Sequence, residues 1–170
     1  FTKKIFTGNP AAVCILDRLR EDSWMQKLAQ EMNLSETAFL YPRDNGYSLR
    51  WFTPTTEVPL CGHATLASAH VLWTENYLSK DKIALFYTKS SLLVAKKQED
   101  WIELDFPVVF SERIEAPPEL SQALGVPIKL VLQNSLGYFL VEVESEGLIR
   151  HMQPDFSLLK KLPGGKAIVT

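Results

Sequence analysis

The reading of the fold turns on one stretch: Glu57-Val58-Pro59-Leu60-Cys61-Gly62-His63-Ala64-Thr65-Leu66-Ala67-Ser68-Ala69-His70-Val71-Leu72-Trp73. Pro59 and Gly62 bound a loop, and a helix-forming run opens behind them. From Ala64 to Thr74 there is no charged residue if His70 is neutral. Apolar side chains fall on nearly every face of the helical wheel, and a helix apolar all round must be buried. The run is too short and too polar to span a bilayer. It therefore predicts a central helix over about 62–78, wrapped by the rest of the chain. The first backbone amides of a helix lack partners, and the dipole there favours an anion. Gly62 lets a ligand approach the backbone closely. A substrate carboxylate would suit such a place. On the local pattern alone, an ordinary core helix with a loop cysteine and a capping histidine is the simpler reading.

Composition bounds the rest. The chain has 170 residues, 46% hydrophobic and 22% charged, which is ordinary for a globular protein. Its length suits one domain or two small ones. A formal net charge of -2 gives no reason to expect nucleic acid or an anionic membrane as partner. Cys14 and Cys61 are the two cysteines and have no metal-type spacing. Cys14 sits in an apolar run and reads as a reduced core residue, so a cytoplasmic location is expected. No stretch reads as a signal peptide, a transit peptide or a transmembrane segment. The chain opens in mid-pattern at Phe1 and stops at Thr170 just after an apolar run. It is expected to be a piece of something longer.

Phe1 to Pro10 is loop-like, with turn chemistry at Gly8-Asn9-Pro10. Ala11–Leu16 predicts a buried strand. Trp24, Leu28 and Met32 repeat at four on an amphipathic helix ending near Asn33. Thr37–Tyr41 and Tyr47–Trp51 predict strands joined through Pro42-Arg43-Asp44-Asn45-Gly46. Pro54–Pro59 reads as a loop. Ile83–Thr88, Leu92–Lys97 and Trp101–Phe106 read as an antiparallel meander. The Glu115-Ala116-Pro117-Pro118 linker divides a lobe over 1–114 from a segment over 115–170. That segment begins with a short helix, Glu119–Leu124. Strands at Lys129–Leu132 and Tyr138–Glu144, helices at Glu146–Met152 and Phe156–Leu162, and a last strand at Lys166–Val169 follow. The class is α+β: a curved, mostly antiparallel sheet around one buried helix, then the opening of a second unit.

Three side chains offer chemistry. Glu36 lies at a helix-to-strand junction between apolar residues. Burial disfavours a charged carboxyl, and an acid so held can both take and give a proton. The competing reading pairs Glu36 with a surface cation such as Arg50. His63 could hydrogen-bond a substrate or share a proton with Glu36, or merely cap the helix. Cys61, near the helix N-terminus, is expected to have a lowered pKa and could serve as a carbon-acid base, or be a buried loop residue. His70, in mid-helix, reads as a satisfied core histidine. No phosphate loop, dinucleotide glycine pattern, metal-ligand spacing or Gly-x-Ser-x-Gly elbow is present.

Four motifs occur in order: Gly8-Asn9-Pro10-Ala11-Ala12-Val13; Met32-Asn33-Leu34-Ser35-Glu36-Thr37-Ala38-Phe39; Leu49-Arg50-Trp51-Phe52-Thr53-Pro54; and Leu60-Cys61-Gly62-His63-Ala64-Thr65-Leu66. Together they resemble the phenazine biosynthesis PhzF-like family of isomerases. The likeness is specific over the first half and weaker past the linker. It implies a diaminopimelate epimerase-like fold, in which two similar lobes, each a barrel-like sheet around a central helix, face each other over a cleft. It implies that Glu36 is the acid/base, with His63 beside it, and that Gly62, Ala64, Cys61, Ser35 and Asn9 bind the substrate. Related epimerases carry a catalytic thiol where Cys61 stands. The family's second-lobe Asp-Pro-x-Thr-Gly-Ser motif is absent between Leu120 and Thr170, so the second lobe is expected to be only partly present. The implied activity is a proton shift on a small carboxylate-bearing substrate, without metal, nucleotide or organic cofactor, in a homodimer. A cofactor-independent epimerase or racemase using Cys61 as base, and a non-catalytic binding protein retaining the fold, are the alternatives.

Overall fold

A computed structural model describes residue 2 and residues 4–170. Phe1 and Lys3, at the start of the expected loop, lie outside the described residues. The chain forms two compact units, Phe1–Pro107 and Val108–Thr170. The division falls seven residues before the expected linker. The reason is a short strand missed in the sequence: β8 (Ser111–Arg113) pairs antiparallel with β9 (Leu130–Asn134) and so belongs to the second sheet.

In the first unit, seven strands make one mixed sheet. The main path runs β1 (Ala11–Ile15), β2 (Glu36–Arg43), β3 (Gly46–Phe52), β5 (Ala84–Tyr87), β6 (Leu92–Gln98) and β7 (Trp101–Asp105), with β4 (Glu57–Val58) hung on β3. β2 and β3 form a hairpin closed by Asp44-Asn45, so the turn is tighter than expected and Pro42 remains within the strand. Asp44 takes a left-handed φ of 51° there. Gly46 begins the return strand because a Cβ would lie 2.4 Å from the Leu85 carbonyl oxygen. β1 pairs parallel with β2, and β3 parallel with β5. Each of these pairs is separated in sequence by a helix, as a parallel pair requires.

Among the described residues of this unit, the two helices are α1 (Asp22–Met32) and α2 (Gly62–Thr74). They take opposite faces of β2. Ala38 and Leu40 face α2 together with Leu49, Trp51, Leu72, Trp73 and Phe86. Phe39 faces α1 with Met25, Ala29 and Phe52, and its ring meets that of Phe52 edge-on, centroids 5.5 Å apart. Coverage on both sides explains why Thr37 to Leu40 are all buried. The end strands β1 and β7 both pack on α2, so the sheet curls around it.

α2 is shorter than expected: Glu75 caps it, and Asn76, at φ 60°, turns the chain away. Its all-round burial is also corrected. Ala64, Thr65, Ser68, Ala69, Leu72 and Trp73 are buried, whereas His70 and Thr74 are exposed. The buried polar residues satisfy themselves within the helix. Thr65 Oγ1 donates to the Cys61 carbonyl at 2.6 Å and Ser68 Oγ to that of Ala64 at 2.7 Å. Small side chains at 64, 68 and 69 then let the sheet approach closely. Among the described residues, no helix is long and apolar enough to cross a membrane.

The second unit carries a four-stranded sheet, ordered β11 (Ala167–Val169), β10 (Phe139–Glu142), β9 and β8. Its core joins α3 (Pro118–Leu124) to the sheet through Leu120, Leu124, Val131, Phe139 and Val141. α4 (Glu146–His151) and α5 (Phe156–Leu159) connect β10 to β11, and both are shorter than the expected helices. Ser145 and Asp155 cap them with their side-chain oxygens.

Candidate active site

Three chain ends meet in the first unit. Asn33 stops α1 in a left-handed conformation, φ 50°, and turns the chain into Ser35 and Glu36. Glu36 opens β2 opposite Ala11, the first residue of β1, which places Asn9 and Pro10 alongside. Strand side chains alternate, so Glu36 falls on the same face as Ala38 and Leu40, toward α2. The N-terminus of α2 brings Cys61 as cap, Gly62 as first residue and His63 as second.

The result is a compact set of contacts. Glu36 Oε2 lies 3.2 Å from His63 Nε2, and each side chain is only 18% exposed. That oxygen is shut off from solvent, yet no hydrogen bond is aligned on it. The two observations agree if Oε2 sits beside the axis of the ring N–H rather than on it. Nε2 also meets Ser35 Oγ at 3.2 Å. Ser35 Oγ donates to Asn9 Oδ1 at 2.9 Å, with the Pro10 carbonyl at 3.4 Å. On the other side of the ring, Nδ1 meets Cys61 Sγ at 3.5 Å. Glu36, His63, Cys61, Ser35 and Asn9, all expected from the sequence as site residues, thus form one cluster. Gly62 lies within it.

Some expectations are corrected. The side chain of Ala64 is fully buried in the helix–sheet core, so any contact it makes with a substrate would be through its backbone amide. Burial pushes the Cys61 thiol up to about 11, not down. The Ala64 amide pulls the other way, the Glu36 charge adds to the rise, and the His63 amide opposes it weakly. Cys61 is 7% exposed, and desolvation outweighs the helix terminus. Arg50 does not pair with Glu36. It forms a two-point pair with Glu57, Nε to Oε1 at 2.7 Å and Nη2 to Oε2 at 2.8 Å, and reaches Asp22 Oδ1 at 2.6 Å. His70 is exposed rather than a core residue.

His70 lines an open groove of about 1500 Å³ along α2, with His63, Leu66 and Ala67 on the helix and Ile102, Leu104 and Phe106 opposite. Sequence reasoning missed this groove, though the alternation at 102, 104 and 106 is its signal. The groove reaches the cluster at Asn9 and His63, and Glu36 is not on its wall.

Glu36, Cys61 and His63 offer potential metal ligand atoms within 4.8 Å of one another. The contacts themselves fall on the two nitrogens of the ring: the sulfur meets Nδ1 and the carboxyl meets Nε2.

The family model described as phenazine biosynthesis-like protein, PhzC-PhzF, matches residues 1–170. An uncharacterised isomerase of Halalkalibacterium halodurans is 52% identical over the whole chain, which spans 64% of that protein. An uncharacterised isomerase of Pseudomonas aeruginosa is 44% identical, with the same two coverages. Among solved structures, a PhzF-family phenazine biosynthesis protein of Enterococcus faecalis superposes with a TM-score of 0.89 at 40% identity, over 99% of this chain and 64% of that one. A predicted epimerase of Pseudomonas aeruginosa shares the fold, at TM-score 0.71 and 23% identity, over 98% of this chain and 65% of that one. The α+β fold and the family resemblance read from the motifs are borne out.

Proposed function

The chain belongs to the phenazine biosynthesis-like PhzC-PhzF family, and on that premise we propose that Glu36 is the acid/base of an isomerase. In this reading Glu36 takes a proton from one carbon of a small, unsaturated, carboxylate-bearing substrate and returns it to another. The substrate's conjugation spreads the charge left behind. Its carboxylate is received at the N-terminus of α2, where amides without helical partners and the dipole favour an anion. His63 orients the substrate and the acid.

One observation carries the reading: a carboxyl oxygen closed to solvent, 3.2 Å from an imidazole nitrogen, with no donor aligned on it. Buried polar atoms are nearly always paired, and an exception calls for a reason. A carboxyl held for proton transfer is such a reason: catalytic hydrogen bonds often tighten only once substrate is bound, and the side chain keeps 18% of its surface exposed although Oε2 itself is closed. Cys61 is 7% exposed and its sulfur lies 3.5 Å from His63 Nδ1, so it is less accessible than Glu36 as a base for the two-base epimerase alternative.

The test uses the full-length protein in heavy water with small unsaturated carboxylic acids. Deuterium incorporation is followed by mass spectrometry. Glu36→Gln should lower exchange about 10²–10⁴-fold, the range general acid–base catalysis supplies. Exchange at the wild-type rate removes Glu36 from the mechanism.

A further inference from the structure

We infer that Cys61 acts through His63 as a positioning residue, its S–H donating to Nδ1 and so holding the ring hydrogen on Nε2, next to Glu36. This role rests on the proton transfer proposed for Glu36 and assigns the thiol no step of its own.

The donors and acceptors around the ring set the direction. In a neutral imidazole one nitrogen carries hydrogen and the other accepts. Nε2 faces two acceptors. One is Glu36 Oε2 at 3.2 Å. The other is Ser35 Oγ at 3.2 Å, whose single hydrogen is already directed to Asn9 Oδ1 at 2.9 Å. A bare Nε2 between them would leave lone pairs facing lone pairs. The hydrogen therefore belongs on Nε2, and Nδ1 is the acceptor. Cys61 Sγ, 3.5 Å from Nδ1, is the contact found at that atom.

The sulfur is fit to donate. Cys61 is 7% exposed, and burial keeps it a thiol with its hydrogen in place. It makes no side-chain hydrogen bond that caps the helix, yet the Ala64 and His63 amides lie close enough to favour negative charge on it. Amides on the lone-pair side leave S–H as the group to offer the ring. The chain then runs one way, from Cys61 S–H to Nδ1, and from Nε2–H to Ser35 Oγ, with Glu36 Oε2 beside it. A small turn of the ring swings Nε2–H from Ser35 to Glu36. The imidazole is thereby a ready donor to the carboxyl when it is charged, and stays out of its way when it holds a proton.

The experiment is long-range ¹H–¹⁵N correlation on the histidine rings of the full-length protein, with His63 assigned by the signals lost in His63→Asn. The wild type should show a pyridine-type Nδ1 and a pyrrole-type Nε2. Cys61→Ser, which keeps a donor, should preserve that pattern. Cys61→Ala should lower the ratio of Nε2–H to Nδ1–H by about threefold or more, somewhat under the fivefold that one average hydrogen bond is worth. A wild-type ring protonated at Nδ1 overturns the inference, whether or not the variants fold. So does an unchanged ratio in a folded Cys61→Ala protein. The measurement needs no turnover, so its failure is separate from that of Glu36→Gln in the exchange assay.

Discussion

Two glutamates in the first unit, Glu36 and Glu57, have opposite surroundings. Glu57 is saturated. Arg50 grips both its oxygens, Lys89 Nζ lies 2.5 Å from Oε2, and Arg50 also holds Asp22. The Arg50 guanidinium holds the Glu57 carboxyl below its usual range, and Lys89 adds to that. Glu36 has no cation from Lys or Arg among the described residues, and one of its oxygens is orphaned. A paired acid ties elements together. Here the Glu57 network ties β3, β4, the turn before β6 and the start of α1. An acid with an unmet acceptor costs stability and is kept for something else. The first reads as structure and the second as chemistry.

That contrast can be broken by experiment. The largest expected effect is at the open acid: Glu36→Gln should abolish most solvent exchange and leave the thermal midpoint nearly where it was. A collapse of stability instead would make Glu36 structural. Next comes the saturated acid. Arg50→Met strips Glu57 of its main partner and should cost about 2–3 kcal/mol in denaturant unfolding. That is below the full penalty for breaking a buried pair, because Lys89 remains and the site is partly wet. An unchanged unfolding midpoint would empty the network of structural meaning.

A pH titration of stability sharpens the same point. Glu57 and Asp22 both titrate below their unfolded values because of Arg50. Below about pH 5 the unfolded chain binds more protons than the folded one. Stability should therefore be full at neutral pH and fall as the pH drops through roughly 4, and Arg50→Met should flatten that slope. A slope that survives the substitution assigns it to other groups. The smallest effect belongs to Asp22→Asn. Its carboxyl is 72% exposed, and exposed pairs contribute little. No resolvable change in the unfolding midpoint is expected. A large one would mean that Asp22, not Glu57, is the principal anchor of Arg50.

Most of the fold is legible in the sequence. The uncharged, largely apolar run from Ala64 to Trp73 announces an enclosed helix, and the alternation in Tyr47, Leu49 and Trp51 announces a strand with a buried face. What escapes is short. β4 and β8 have two and three residues and too little pattern to register a period. β8 is recognisable only through its partner β9, so the unit boundary is misplaced with it. The site is legible as a set of residues, because Ser35, Glu36, Cys61 and His63 stand in motifs. Their roles are less so. Helix-terminus reasoning predicts an acidic thiol at Cys61, but that effect is local and modest, whereas desolvation depends on what the whole unit packs around the sulfur.

The amino-acid order by itself determined the longer elements, the central helix and the family, because these rest on periodicity and on contiguous motifs. Only the tertiary structure decided which of two glutamates Arg50 neutralises, and that Glu36 is left beside His63 with a buried, unpaired oxygen. Residues 36 and 63 are far apart in the chain, and a charge's worth depends on its neighbours in space. Ion pairing follows from which strands and helices the fold brings side by side.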